Sequence, residues 1–330
     1  MQVSPHTGWF PAKIGWSSGR PHVIAVKYDV AQLSQPFLEF DLDTATESAA
    51  VPLDEVVRWD FGDPPPVAGF IFHMSRTGST VAGLMLRAAG HVTFLGEPLP
   101  MNGLFFRPSD TGDEPLLEAQ VRALVNWFAV AARGQRVVVK LASWLSLHLD
   151  RFQAWFPGVP IVFMYREPVE VVSALVDKAP FMFRRAAMRA QFAAPPPAQP
   201  GYEAWMNASL RGRVDYRRDC DYVEFVARFL GEICAPAAAT ASGPNPVLAV
   251  EYTDFTEHVI ERIAPRFGIN VDADVRGRMQ AVTRYHVKQR TNPAEFHDDS
   301  ALKRMKATPL MHELAERFIQ PSIDTLRRLA

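Results

Sequence analysis

Four side chains in this 330-residue chain stand where they could bind and react with a charged group: Arg76, Glu97, Lys140 and Arg166. A guanidinium grips oxyanions bidentately, an ammonium is a compact point charge, and a carboxylate can take a proton. Each follows or ends an apolar run of strand length. Val67–Phe72 precedes Arg76, Phe94-Leu95-Gly96 precedes Glu97, Arg136–Leu141 contains Lys140, and Phe163-Met164-Tyr165 precedes Arg166. Open parallel sheets bind ligands beyond the carboxyl ends of their strands, so the four would share one edge.

The stretch around Arg76 is the most specific. After the apolar run Val67-Ala68-Gly69-Phe70-Ile71-Phe72 comes the polar turn His73-Met74-Ser75-Arg76-Thr77-Gly78-Ser79-Thr80. A helical stripe follows, with Val81, Leu84, Met85 and Ala88 at i, i+3, i+4 and i+7 and Gly90 as a stop. Strand, turn and helix present backbone N–H groups and a helix N-terminus to one point, which binds anions. The nucleotide-triphosphate loop reads G-x-x-x-x-G-K-[ST]. Here Ser79 replaces the lysine and His73 the first glycine, so Arg76 is the turn's cation. That argues against ATP hydrolysis or an ordinary kinase.

Ser75-Arg76-Thr77-Gly78-Ser79-Thr80 resembles the 5′-phosphosulfate loop of the sulfotransferases that use 3′-phosphoadenosine 5′-phosphosulfate (PAPS). Phe163-Met164-Tyr165-Arg166-Glu167-Pro168-Val169-Glu170-Val171-Val172-Ser173 resembles that family's 3′-phosphate segment, in the family's order. The resemblance implies a soluble, bacterial-type member with the P-loop fold. It implies PAPS as co-substrate, no metal, and a hydroxyl or amine of a small molecule or glycan as acceptor. It gives Arg76 and the loop amides the phosphosulfate, with Ser79 and Thr80 adding hydroxyl bonds, capping the helix, or both. Lys140 falls to the bridging oxygen between phosphate and sulfate, where charge grows as the bond breaks. Arg166 falls to the 3′-phosphate. Glu97 matches a carboxylate that takes the acceptor proton; other members use a histidine two residues after a strand lysine, but that position is Ala142.

One departure and several alternatives stay open. The companion serine of the arginine usually lies eight residues on, where this chain has Ala174, and the nearest hydroxyl is Ser173. One residue on a helix is a rotation of roughly 100°. Arg76 and Lys140 are otherwise a solvated loop arginine and a strand-end lysine, and Glu97 an exposed turn glutamate. His148 is a helix residue that either approaches the site or packs. Lys288, Arg290, Lys303 and Arg304 are candidates for a C-terminal basic loop, and Tyr252 and Asp254 resemble a stretch near adenine. An ATP phosphotransferase, which predicts a loop lysine, and a catalytically silent nucleotide-binding module are the competing readings.

The elements that must position these residues alternate strand and helix from Val67 onward. This predicts an α/β fold of three layers, a mostly parallel P-loop-type sheet with helices on both faces. Residues 1–66 read as a β-rich extension, with runs such as His22–Val26 and Pro36–Phe40 as strands, ending at Pro64-Pro65-Pro66. It would cover the sheet or wall the acceptor pocket. Residues 67–330 then form the sulfotransferase-like domain, in which 179–246 interrupts the rhythm as a helical lid or pocket wall, with Ala235–Pro246 a loop. Phe105, Phe106, Phe181, Phe183 and Trp205 hint at an aromatic pocket.

Hydrophobic residues make up 48% and charged residues 22%, an ordinary globule. The net charge of −1 offers no global basic field for nucleic acid. Two cysteines, Cys220 and Cys234, on one helical stretch argue against a disulfide framework or metal chemistry. The start, Met1–His6, lacks a signal-peptide pattern, and no apolar run approaches the roughly 20 residues of a membrane span. The expectation is a cytoplasmic protein without a membrane partner.

Overall fold

Strand length and alternation separate two sheets in the computed structural model, which describes residues 3–17, 20–105, 114–178, 222–240, 246–253, 255–284 and 298–329. The first sheet is antiparallel, β1 (Trp9–Ser17), β2 (Arg20–Lys27) and β3 (Ser48–Pro52), in that order. Helices α1 (Leu38–Leu42) and α2 (Leu53–Val57) accompany it. The second is parallel, β4 (Gly69–His73), β5 (Val92–Gly96), β6 (Arg136–Lys140), β7 (Ile161–Tyr165) and β8 (Leu248–Glu251), ordered β5-β6-β4-β7-β8. The order reverses about β4, the central strand, and that is where such sheets open a crevice.

Helices join the parallel strands: α3 (Ser79–Arg87), α4 (Leu99–Phe105), α5 (Glu114–Ala131), α6 (Leu149–Trp155), α7 (Pro168–Asp177) and α8 (Tyr222–Thr240). After β8 come α9 (Phe255–His258), a π turn Val259–Ile263, α10 (Ala264–Arg266), α11 (Ala273–Val282), α12 (Ser300–Lys306), α13 (Pro309–Phe318) and α14 (Gln320–Leu329). Successive strand side chains point to opposite faces. Phe70, Phe72, Val139 and Phe163 enter one core with α5 to α8, α13, α14 and the antiparallel sheet. Ile71, Val138, Val162 and Val250 enter the other with α3, the π turn and α11. The sheet is therefore covered on both faces, giving the expected three layers.

The antiparallel sheet docks on α5, where Phe10 stacks on Phe128 at 5.5 Å and the Trp127 indole N–H donates to the Trp9 carbonyl at 2.9 Å. Two expectations need correction. Pro36–Phe40 is not a strand: Leu38 and Leu42, one helical turn apart, are both buried on α1. Ala235–Thr240 is not loop but the end of α8, which continues through Pro236. A helix proline costs about 3 kcal/mol. Burying Phe225, Phe229 and Ile233 contributes roughly 1.5–3 kcal/mol each, so the packed face wins. Among the described residues, no helix is long and apolar enough to cross a membrane.

Candidate active site

The turn after β4 is anchored by His73. Its buried ring accepts from the Ser75 N–H at Nδ1 (3.0 Å) and lies 3.1 Å from the Leu141 carbonyl at Nε2. Ser75 (φ 82°), Arg76 (φ 54°) and Gly78 (φ 73°) are left-handed, which costs a non-glycine residue about 1–2 kcal/mol. Such turns aim successive N–H groups into one concavity. Gly78 serves as the cap of α3 without any side-chain capping bond, and a Cβ there would press the Tyr252 ring at 3.2 Å. Ser79 and Thr80, first in α3, are buried. The Thr77 hydroxyl is buried with no hydrogen-bond partner. Arg76 itself is exposed.

Glu97 and Lys140 form a second group. β5 and β6 are neighbours with Gly96 opposite Lys140, and the Glu97 N–H donates to the Lys140 carbonyl at 2.7 Å. The Lys140 ammonium donates to Glu97 Oε1, and His73 Nε2 lies 4.0 Å from the same oxygen. Lys140 is fully buried while the Glu97 side chain is 31% exposed, so the pair is reached from solvent on the carboxylate side. Glu97 too is left-handed, φ 50°. A buried ammonium needs this partner. His73 at the end of β4, Glu97 after β5 and Lys140 at the end of β6 thus lie together.

Arg166, after β7, is buried and bonded from Nε and both terminal nitrogens. Nε donates to Glu170 at 2.6 Å; Nη2 donates to Ser300 Oγ at 2.7 Å and to Asp299 at 3.1 Å, with Asp298 at 3.7 Å. Its plane lies over the Tyr252 ring at 4.0 Å. Burial works against the charge, yet the Glu170 bond and nearby acids more than restore it, and the pKa is raised. The residue also touches the turn after β4: Nη1 donates to the Arg76 carbonyl at 3.4 Å, and the Arg166 N–H meets Met74 Sδ.

Arg304 pairs with Glu170, and Lys303 with Asp299 at 2.7 Å, so two of the four C-terminal candidates reach this cluster. Burial lowers the Lys303 pKa, aided by the charges of Arg166 and Arg76. Burial raises the Asp299 pKa, but the Lys303 hydrogen bond and the two cations outweigh it and hold the group low. Beside the cluster runs a cleft of about 710 Å³, lined by Arg166, Glu170, Tyr252, Ser300, Arg304 and others. Arg76 is not among its lining residues.

Ser173 is buried on α7, one turn beyond Glu170 on the same face. Nearer to Arg166 is a hydroxyl the sequence did not reveal, Ser300. Glu170 was readable as an i, i+4 partner; Ser300 and Asp299, more than a hundred residues away, were not. His148 packs on Phe105, ring centroids 4.7 Å apart. Burial pushes the Tyr252 phenol up to about 12, with Arg166 pulling the other way. Lys288, Arg290, Asp254, Phe106, Phe181, Phe183, Trp205 and Cys220 lie outside the described residues.

Fold and site define an α/β protein with a tight, left-handed turn after the central strand of a parallel sheet. No family model matches the chain, and no curated protein matches it. Among solved structures it is similar to sulfotransferase STF9 from Mycobacterium avium, with 11% identity and a TM-score of 0.41 over 69% of each chain. It is similar also to the sulfotransferase domain from the curacin biosynthetic pathway, with 13% identity and a TM-score of 0.42 over 77% of this chain and 98% of that one.

Proposed function

We propose that the chain transfers a sulfuryl group from PAPS to a hydroxyl or amine of a small-molecule or glycan acceptor. The observation that carries this reading is the Glu97–Lys140 pair, set on the strands beside a turn whose backbone is held by Arg166. The residues suit the donor at its sulfated end: left-handed turn residues, an uncapped helix start and the orphaned Thr77 hydroxyl. At the other end a 3′-phosphate would replace Asp299 on Arg166, leaving Ser300, Lys303 and Arg304 at hand and Glu170 as the fixed counter-ion.

In the transfer, the acceptor oxygen or nitrogen forms a bond to sulfur as the bond from sulfur to the 5′-phosphate oxygen breaks, releasing 3′,5′-bisphosphoadenosine. Glu97 takes the acceptor proton. Lys140 has three N–H donors and spends one on Glu97, leaving others for charge on the departing oxygen. Ser75, Arg76, Thr77, Gly78, Ser79 and Thr80 hold the phosphosulfate, and Ser173 backs the 3′-phosphate wall. In this organisation residues 1–66 are the extension and 67–330 the catalytic domain.

The test is transfer from radiolabelled PAPS to a metabolite panel, with and without Glu97→Gln. Transfer by the natural chain, abolished by Glu97→Gln with nucleotide affinity spared, is expected. Undiminished transfer by Glu97→Gln would refute the base.

A further inference from the structure

The extension does more than dock on α5. Its segment Ser34-Gln35-Pro36-Phe37 is strapped across the carboxyl end of β5. Arg87, at the end of α3, donates to the Ser34 carbonyl at 2.6 Å and the Gln35 carbonyl at 3.1 Å. The buried Asp41 carboxylate receives the Ser34 and Gln35 N–H groups and the Ser34 hydroxyl. The Pro36 carbonyl passes so close to Gly96 that any Cβ there would collide with it. These bonds deliver Phe37 to the reacting pair: the Lys140 ammonium lies 5.5 Å from the ring centroid. Phe40 meets Phe37 edge-on, centroids 5.6 Å apart, and both rings are partly exposed.

We infer that this strap is a wall of the acceptor site, and that Phe37 is a specificity-determining residue favouring an acceptor with a flat apolar group beside its nucleophile. The inference rests on the sulfuryl-transfer reading and adds to it the acceptor's chemical class. Three features support it. The segment that carries the ring is held by Arg87 of α3 and by Asp41 of α1, and packs against Gly96 of β5. The ring adjoins the ammonium whose partner carboxylate faces solvent. Phe37 and Phe40, both partly exposed, already stand edge to face, a geometry that suits a further aromatic group.

The experiment uses the full chain, with 2-naphthol and 1-hexanol as acceptor probes and calorimetry of 3′,5′-bisphosphoadenosine alongside. The natural chain should sulfate 2-naphthol with the lower KM. An aromatic contact is worth enough that Phe37→Ala should raise that KM about tenfold. The KM for 1-hexanol should move less, kcat should stay within about twofold, and nucleotide affinity should hold. Phe37→Leu, which keeps apolar bulk, should fall between, and thermal melting of both variants checks folding. An unchanged KM for 2-naphthol in folded Phe37→Ala overturns the inference. So does the lack of any preference for the ring-bearing probe, or a loss of nucleotide affinity. If the natural chain fails to bind 3′,5′-bisphosphoadenosine, the parent reading falls, and the inference with it.

Discussion

Arg166 is met by carboxylates on the side where the donor's 3′-phosphate would sit, so removing one of them should tighten binding. Asp299→Asn is the informative change. Asp299 touches Nη2 at 3.1 Å, but its side chain is 51% exposed and is shared with Lys303. Solvent screening places such a pair near the top of the surface range, about 1 kcal/mol, rather than in the buried range. If the phosphate must displace this carboxylate, its loss lowers Kd about fivefold. Asp298, at 3.7 Å and more exposed, should give a smaller gain. Calorimetry with 3′,5′-bisphosphoadenosine reads the effect, and adenosine 5′-monophosphate, which lacks the 3′-phosphate, serves as control. Affinity for the monophosphate should not move, and the gain should shrink with added salt. Equal or weaker bisphosphate binding by Asp299→Asn would refute the exchange.

Thr77→Val removes an unpaired buried hydroxyl. An orphaned polar group costs about 1–3 kcal/mol, so the free protein should melt at an equal or higher temperature while nucleotide affinity falls about tenfold. Gly96→Ala forces its Cβ against the Pro36 carbonyl. Displacing the strap should raise acceptor KM more than it changes nucleotide affinity, as steady-state kinetics would show. Burial, with Glu251 adding to it, pushes Tyr165 up to about 12, and burial pushes Tyr252 there too. A folded pKa above the ordinary value of about 10 stabilises the protein fully below that pH and is lost as pH rises through the folded value. Alkaline titration followed by phenolate absorbance should therefore leave these two protonated at about pH 11, with unfolding beyond.

The parallel sheet was legible because strands buried on both faces are short, continuous apolar runs. The four apolar runs named from the sequence match β4 to β7 within two residues at each end, and the turn after β4 was legible from its residue types. The meeting of Glu97 with Lys140 was less so. It depends on β5 and β6 being neighbours while β4 lies beyond β6, an order that sequence periodicity does not carry. Pro36–Phe40 misled because a short apolar run fits strand and helix alike; the decisive detail is Asp41, which folds the preceding backbone onto itself. The partners of Arg166 divide the same way. Glu170 is local, one helical turn on, whereas Ser300 and Asp299 arrive through the tertiary fold.

The central claim is that one bisphosphorylated adenosine spans the anion-binding turn and Arg166. The most direct measurement is equilibrium binding of 3′,5′-bisphosphoadenosine and ATP, compared without magnesium. The account predicts that the bisphosphate binds more tightly, that Arg166→Ala removes the preference, and that Thr77→Val weakens both. Tighter binding of ATP, or a bisphosphate affinity indifferent to Arg166→Ala, would contradict it.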